Sequence, residues 1–448
     1  MEQEPRASRR LTDTDRRLLD RLVQARIASP ADSQAELAAN AKGSVDRSAL
    51  LDFNNLPGYT EQRLLRFAAS ALGLKDPYFL LHEGDAGAWT VIDGRRMINF
   101  SSYDYLGLNH HPQVRAAVHA AIDRYGVSTS ASRLVAGERP IHRALESALA
   151  DHFRQEACLT YVSGHAANVS TIGALLGPRD LIVHDALAHN SIVMGAQLSH
   201  AERRSFAHND MSALDAMLHA MRDQYDRVLI VAEGLYSMDG DICDLPTLVE
   251  IKERHLAWLM IDDAHGLGVL GQRGLGVFEH FGLDSRQVDI WMGTLSKTLA
   301  ACGGFIAGSA PLIDYLRHAA GGFVYSVGMP PPVAAAALAA LRVLQIEPDR
   351  VLRLRTNAHQ FASAARRAGL DLGPSVGEAI IPLMTGDSIR AVALSQRLFQ
   401  RNINVQPIIS PAIPERLARL RWAPGFGQKQ RGLHRRSGRI HCDVLWNR

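Results

Sequence analysis

Two short stretches carry residues able to do chemistry together. In residues 289–304 an apolar run ends at Gly293-Thr294-Leu295-Ser296, a single lysine, Lys297, follows, and Gly303-Gly304 opens a second apolar run, Phe305-Ile306-Ala307. The pattern predicts strand, tight loop, strand, with Lys297 on the loop among small and hydroxyl residues. Desolvation in such a place lowers a lysine's pKa and frees its amine to condense with an aldehyde. Upstream, the apolar run Trp258-Leu259-Met260-Ile261 ends in Asp262, with His265 three residues on. A carboxylate at a strand end, a histidine beside it and a nucleophilic amine are what pyridoxal phosphate (PLP) requires of a protein: a partner for its ring nitrogen, a contact for its ring and an attachment point.

The elements that position these residues read as an α/β fold. Strands are predicted over 158–162, 181–184 and 228–232. They alternate with helices over 166–176, 211–222 (capped by Asn209 or Asp210) and after Pro246, before the strand that ends at Asp262. Such alternation argues for a mostly parallel sheet with helices on both faces. Ligands bind at the carboxyl ends of the strands in such sheets. The polar clusters fall there: Ser163-Gly164-His165, then residues 185–189, 233–241, 262–265 and 294–297.

Before this region, Asp93-Gly94 between the apolar stretches 89–92 and 95–100 predicts a hairpin. A helix follows from Pro112 to Gly126, and another runs on Ile141, Leu145, Leu149 and Phe153. Beyond about residue 345 the pattern becomes a smaller mixed region, with strands near 379–383 and 403–407 and a helix over 388–399. The expected organisation is a helical arm over 1–50, with its stripe at Leu18, Leu19, Leu22, Val23 and Ile27, and an N-terminal part of a small domain over 51–105. A cofactor-binding large domain over 106–345 and a C-terminal small domain over 346–448 complete it. The tail from 422 is atypical, rich in Arg and Gly and without periodicity until Ile440.

At 448 residues, 47% hydrophobic and 21% charged, the chain suits a globular enzyme of more than one lobe. Its net charge of +3 is too small to argue for nucleic acid. Cys158, Cys243, Cys302 and Cys442 lack any paired spacing, so neither a disulfide framework nor a metal site is expected. The N-terminus has no apolar signal core, and no apolar run is long enough to cross a bilayer, so a cytoplasmic setting is expected. Gly266-Leu-Gly268-Val-Leu-Gly271 matches the dinucleotide glycine pattern, but Asp262 to His265 separate it from its strand, and it reads as a close-approach loop. Gly282-Leu-Asp284-Ser285 matches a phosphopantetheine site by chance, with Arg286 where an aliphatic residue belongs.

Seven stretches in order resemble the α-oxoamine synthase family, PLP enzymes of the aspartate-aminotransferase fold. They are Tyr105-Leu-Gly-Leu, Ser163-Gly164-His165-Ala-Ala-Asn168, Phe206-Ala-His-Asn-Asp210 and Glu233-Gly-Leu-Tyr-Ser237-Met-Asp-Gly-Asp241. Asp262-Asp-Ala-His265-Gly266, Thr294-Leu-Ser-Lys297 and Tyr325-Ser326-Val-Gly-Met-Pro-Pro complete the set. The resemblance implies that Lys297 holds the cofactor and moves the substrate's α-proton. It implies Asp262 on the pyridine nitrogen, His265 with Ser237 at the ring hydroxyl, and His189 stacked on the ring. Backbone N–H groups of Gly164 and His165 would bind the phosphate, joined by Thr294 and by Ser326 from a second subunit of a homodimer. Asp104, where asparagine is commonest, and Arg421 would face the substrate, the arginine pairing with its carboxylate.

The implied reaction condenses a small amino acid (glycine, alanine or serine) with an acyl thioester of coenzyme A or an acyl carrier protein, with loss of carbon dioxide. Residues 82–87 and 99–103 look like members tied to carrier-protein and polyketide pathways, which favours an acyl-carrier-protein or coenzyme A thioester over the pimeloyl donor of biotin synthesis. Gly328 replaces a usual serine, and the resemblance ends after Arg421, so this arginine is expected to be poorly held. Transamination on the same fold, or a catalytically impaired relative serving as a scaffold, are the competing readings.

Overall fold

A computed structural model describes residues 48–85 and 87–427; the expected N-terminal helical stripe, Cys442 and the end of the tail lie outside them. By compactness the chain divides into two units, one up to Tyr78 and one from Phe79. The first contains a helix, Pro57–Ala71, opened by a proline whose missing N–H costs nothing there.

The second unit begins with β1 (Trp89–Ile92) and β2 (Arg95–Asn99). Asp93 and Gly94 join them with φ of 50° and 66°, the left-handed pair that matches the twist of a two-residue hairpin. The helices Pro112–Tyr125 and Pro140–His152 follow.

The alternating region then builds β3 (Ala157–Tyr161), β4 (Leu181–Asp185), β5 (Glu202–Phe206), β6 (Val228–Glu233), β7 (Trp258–Asp262), β8 (Ile290–Thr294) and β9 (Gly304–Gly308). They form one seven-stranded sheet in the order β3-β9-β8-β7-β6-β4-β5. Only β9 runs antiparallel to its neighbours. β4, β6, β8 and β9 are buried at every position, as strands covered by helices on both faces must be. Period-2 alternation splits their side chains between two cores: Leu181, Val183 and Ile230 face one, Ile182, Leu229 and Val231 the other.

The remaining strands build two small sheets. β10 (Ile381–Met384), β12 (Gln406–Ile408) and β13 (Arg419–Trp422) pair with β13 in the centre, and β11 (Ile403–Asn404) extends the β1–β2 hairpin. A third core holds them, with the Trp422 ring 4.7 Å from Phe100 and 4.9 Å from Phe361.

The first residues of the tail, 422–427, are built into the fold. Trp422 completes β13, and the Ala423 N–H donates to the Phe100 carbonyl at 2.9 Å. The Phe426 N–H donates to the Tyr105 carbonyl at 2.9 Å, and its ring lies 4.5 Å from the guanidinium carbons of both Arg350 and Arg353. These partners are distant in sequence, so no local period announces them.

The glycine-rich stretch after Asp262 is a close-approach loop. A Cβ at Gly266 would strike the Asp263 carboxyl, and one at Gly268 or Gly271, both at positive φ, would strike Thr298 or Glu279. Ser285 of the phosphopantetheine-like stretch is fully buried and donates to the Phe153 carbonyl at 2.6 Å, so nothing can be attached there. No helix among the described residues is long and apolar enough to cross a membrane.

Candidate active site

A cavity of about 320 Å³ opens at the carboxyl ends of the sheet strands. Lys297, Asp262, His265, His189, Gly164, His165, Ser237, Thr294 and Arg421 all line it. The loop after β8 delivers Lys297, the end of β7 Asp262, and the turn after β7 His265. Arg421 comes from the small sheet on β13.

Asp262 is 5% exposed and engaged on both oxygens. Oδ1 accepts from the Ala264 N–H at 3.1 Å and Oδ2 from the Asn168 amide at 2.8 Å. A fixed, buried carboxylate of this kind suits a protonated aromatic nitrogen. His189 caps the helix Asn190–Leu198: its Nδ1 accepts from the Ser191 N–H at 3.2 Å and lies 2.7 Å from the Ser191 hydroxyl. Burial pushes its pKa down, against the pull of Asp262.

His265 lies 2.8 Å through Nδ1 from the Tyr105 hydroxyl. Burial lifts the Tyr105 pKa to about 12, so the phenol stays protonated and donates to that nitrogen. Burial, with the positive charges of Lys297 and Arg421, holds His265 neutral by driving its pKa well down. Its proton therefore sits on Nε2.

Arg421 is 7% exposed. Its Nε donates to the Ser237 carbonyl at 2.6 Å, an Nη reaches the Tyr105 hydroxyl at 3.4 Å, and the guanidinium carbon lies 4.9 Å from the Tyr103 ring centre. The expectation of a poorly held arginine is wrong, because Arg421 is the middle of β13, paired with Pro382 on one side and Gln406 on the other. Among the described residues it has no carboxylate partner. Arg419, two residues earlier, does have one, Asp239 at 2.5 Å.

Burial lowers the Lys297 pKa to about 8, against the pull of Asp262. Its amine is therefore neutral in part near physiological pH. Glu233, at the end of β6 and 4% exposed, is pushed well up by burial and by Asp262, so it is a neutral acid facing the cavity.

The other end of the cavity suits a phosphate. Ser163 caps the helix Gly164–Leu175 by accepting from the Ala166 N–H at 3.0 Å. The N–H groups of Gly164 and His165 are left over in the first turn, where a helix attracts anions. The Thr294 and Ser296 hydroxyls lie 2.7 Å apart beside them. A Cβ at Gly164 would sit 3.0 Å from Thr294 Oγ1, so glycine keeps this cradle open. Carboxylate, imidazole, amine and anion cradle share one cavity, and together they fit PLP.

One expected site residue lies elsewhere, and another was expected to serve the partner's site. Asp104 does not line the cavity; its oxygens accept from the Leu108 and Asn109 N–H groups at 2.8 and 3.3 Å, bracketing a turn. Its carboxylate is spent on the backbone. Ser326 stands half-buried between the exposed Tyr325 and Val327, away from this chain's own cavity. A side chain at Gly328 would press on Arg133 and Thr129, within 3.0 to 3.3 Å. Reading the sequence misses Asn168, Ser191, Tyr103 and Tyr105 as site groups, and gives Glu233 no role. Asn168 and Tyr105 sit inside stretches that carry the family resemblance, the one signal that could have marked them.

Residues 95–425 match the family described as aminotransferase class I and II. The 8-amino-7-oxononanoate synthase of Fervidobacterium nodosum is 43% identical over 342 residues, covering 76% of this chain and 86% of that protein. That of Methylococcus capsulatus is 43% identical over 331 residues, covering 74% and 85%. Among solved structures, Sphingomonas wittichii serine palmitoyltransferase superposes with a TM-score of 0.83 at 31% identity, covering 88% of this chain and 98% of that one. A serine palmitoyltransferase variant from S. paucimobilis, solved with a bound PLP–myriocin aldimine, gives 0.82 at 28% identity, covering 88% and 97%. With the cavity's donor set beside these likenesses, the chain belongs to the class I and II aminotransferase family, and within it to the PLP-dependent α-oxoamine synthases, which condense an amino acid with an acyl thioester.

Proposed function

We propose that this enzyme joins a small amino acid (glycine, alanine or serine) to an acyl group carried as a thioester on coenzyme A or an acyl carrier protein, releasing carbon dioxide and free thiol and giving an α-aminoketone. The observation that carries this reading is Arg421, a buried guanidinium on the cavity wall with no carboxylate partner among the described residues. An unpaired buried charge is costly, and a ligand carboxylate offsets that cost. A cavity of about 320 Å³ that must hold cofactor and substrate together favours a small amino acid.

PLP, when bound, supplies an aldehyde for amines and a ring that accepts electron density. Asp262 would keep the ring nitrogen protonated, His189 would pack on the ring face, and the Gly164 and His165 N–H groups with Thr294 would hold the phosphate. Arg421 orients the amino acid by its carboxylate. Lys297 Nζ, with its pKa near 8, takes the α-proton. A bond then forms between the α-carbon and the acyl carbon, the carbon–sulfur bond breaks, and the thiolate leaves with a proton. The carboxylate leaves as carbon dioxide, and the α-carbon regains a proton.

Tyr325, Val327 and Val135 are 90%, 51% and 81% exposed. Their loops are tied together by the Gly328 N–H donating to the Ala131 carbonyl at 2.9 Å. An apolar surface of this kind supports a homodimer, in which Ser326 reaches the phosphate of the partner's site.

The test is a matrix of carboxyl-labelled amino acids against acyl-coenzyme A and acyl-carrier-protein thioesters. Labelled carbon dioxide and free thiol should appear in equal amounts with at least one small amino acid. Keto-acid formation without thiol release would mean transamination instead.

A further inference from the structure

Asp262 and His189 approach the cavity from different elements, and a single side chain ties them. Asn168, on the helix Gly164–Leu175, is 1% exposed and spends both amide hydrogens. One goes to Asp262 Oδ2 at 2.8 Å and the other to the Ser191 hydroxyl at 2.9 Å. An ionised carboxylate only accepts hydrogen bonds, so the amide nitrogen, and not its oxygen, must face Asp262.

That choice sets the direction of every bond beyond it. The Ser191 oxygen receives from Asn168, so its own proton points to His189 Nδ1, 2.7 Å away. Nδ1 also accepts the Ser191 N–H at 3.2 Å, which leaves His189 neutral with its proton on Nε2. A glycine makes the junction possible. Gly195 follows Ser191 by one helical turn, and a Cβ there would lie 3.1 Å from the Asn168 carbonyl and 3.0 Å from Ile172 Cβ. Without that Cβ the two helices approach closely enough for Ser191 to reach Asn168.

We infer that Asn168 is a positioning residue: its amide fixes the Asp262 carboxylate and, through the Ser191 hydroxyl, fixes the orientation and tautomer of the His189 ring. This rests on Asp262 and His189 being the groups that hold the PLP ring. Removing the amide frees one carboxylate oxygen and lets the serine hydroxyl turn. Both effects fall on groups that touch the ring, and none on the phosphate end.

The test measures PLP affinity of the apoenzyme by quenching of tryptophan fluorescence, which needs no turnover. Asn168→Ala should weaken PLP binding about tenfold in the otherwise wild-type protein, the worth of one hydrogen bond to a charged group. In an Asp262→Asn background the same change should cost less than about twofold, because the group it acts through is already altered. Ser191→Ala should likewise weaken binding in wild type but not in a His189→Ala background. Equal losses in both backgrounds would overturn the inference, since a merely structural residue costs the same in each. If Asn168→Ala fails to fold, Asn168→Ser, too short to reach Asp262, replaces it with the same expected outcomes. Failure of the wild-type apoenzyme to take up PLP would overturn the reading of the site itself; uptake with additive losses overturns only the role of Asn168.

Discussion

Arg421→Gln should erase the enzyme's preference for an amino acid over the amine that lacks its carboxylate. In wild type the guanidinium is 7% exposed, anchored by Nε to the Ser237 carbonyl at 2.6 Å and packed 4.9 Å from the Tyr103 ring. The Nη atoms remain for a substrate carboxylate. One Nη is already shared with the Tyr105 hydroxyl, though at 3.4 Å the bond is long. Two charge-assisted hydrogen bonds at the low end of their range contribute about 3 kcal/mol, roughly a hundredfold in affinity. Spectral titration of the holoenzyme with glycine against methylamine, and alanine against ethylamine, reads that ratio directly. The variant should bind each pair within a few-fold of one another (under ~1 kcal/mol) and keep wild-type affinity for PLP. A variant that still prefers the amino acid by the wild-type ratio would refute the carboxylate role. One that loses PLP as well would show that the bond to Ser237 organises the cofactor end.

His208 is held between Asp185 at 2.9 Å and Asp241 at 2.7 Å. Burial alone would lower its pKa, but hydrogen bonds to the two carboxylates outweigh it and lift the value from 6.5 to about 10. Because the folded value is raised, the stabilisation is complete below pH 6.5 and is lost as pH rises through about 10. His208→Gln should therefore flatten the alkaline decline expected in urea unfolding; after discounting for partial exposure, the expected difference near neutral pH is about 1–2 kcal/mol. Truncation after Trp422 should cost about 2 kcal/mol, because it removes the Ala423 and Phe426 hydrogen bonds and the two-arginine clamp. Trp291→Ala should cost about 3–5 kcal/mol in chemical unfolding. Its fully buried ring sits 5.1 Å from Phe153 and 5.6 Å from Phe278, with Nε1 donating to the Ser285 carbonyl at 2.8 Å.

The buried strands were legible because strands covered on both faces must be apolar throughout, and β6 and β8 stop at Glu233 and Thr294, which line the cavity. β5 was not legible. It is an edge strand whose residues Glu202 to Ser205 are all at least partly exposed, so nothing in its side chains marks a core. The helix Asn190–Leu198 hides for a related reason: its cap is a histidine, outside the usual set, and the same residue serves the site. Asn168 and Ser191 gain meaning only from a helix contact set by Gly195, a pairwise fact that no single-segment pattern contains. The hold on Arg421 was misjudged because its strand partners are Pro382 and Gln406, far away along the chain.

The site as a whole stands on Lys297 being the point of cofactor attachment. Borohydride reduction of the PLP-loaded protein, followed by digestion and peptide mass mapping, should place the label on the one peptide that contains Lys297, and Lys297→Ala should abolish it. Label on another lysine, or none after full reconstitution with PLP, would contradict the assignment of the cavity.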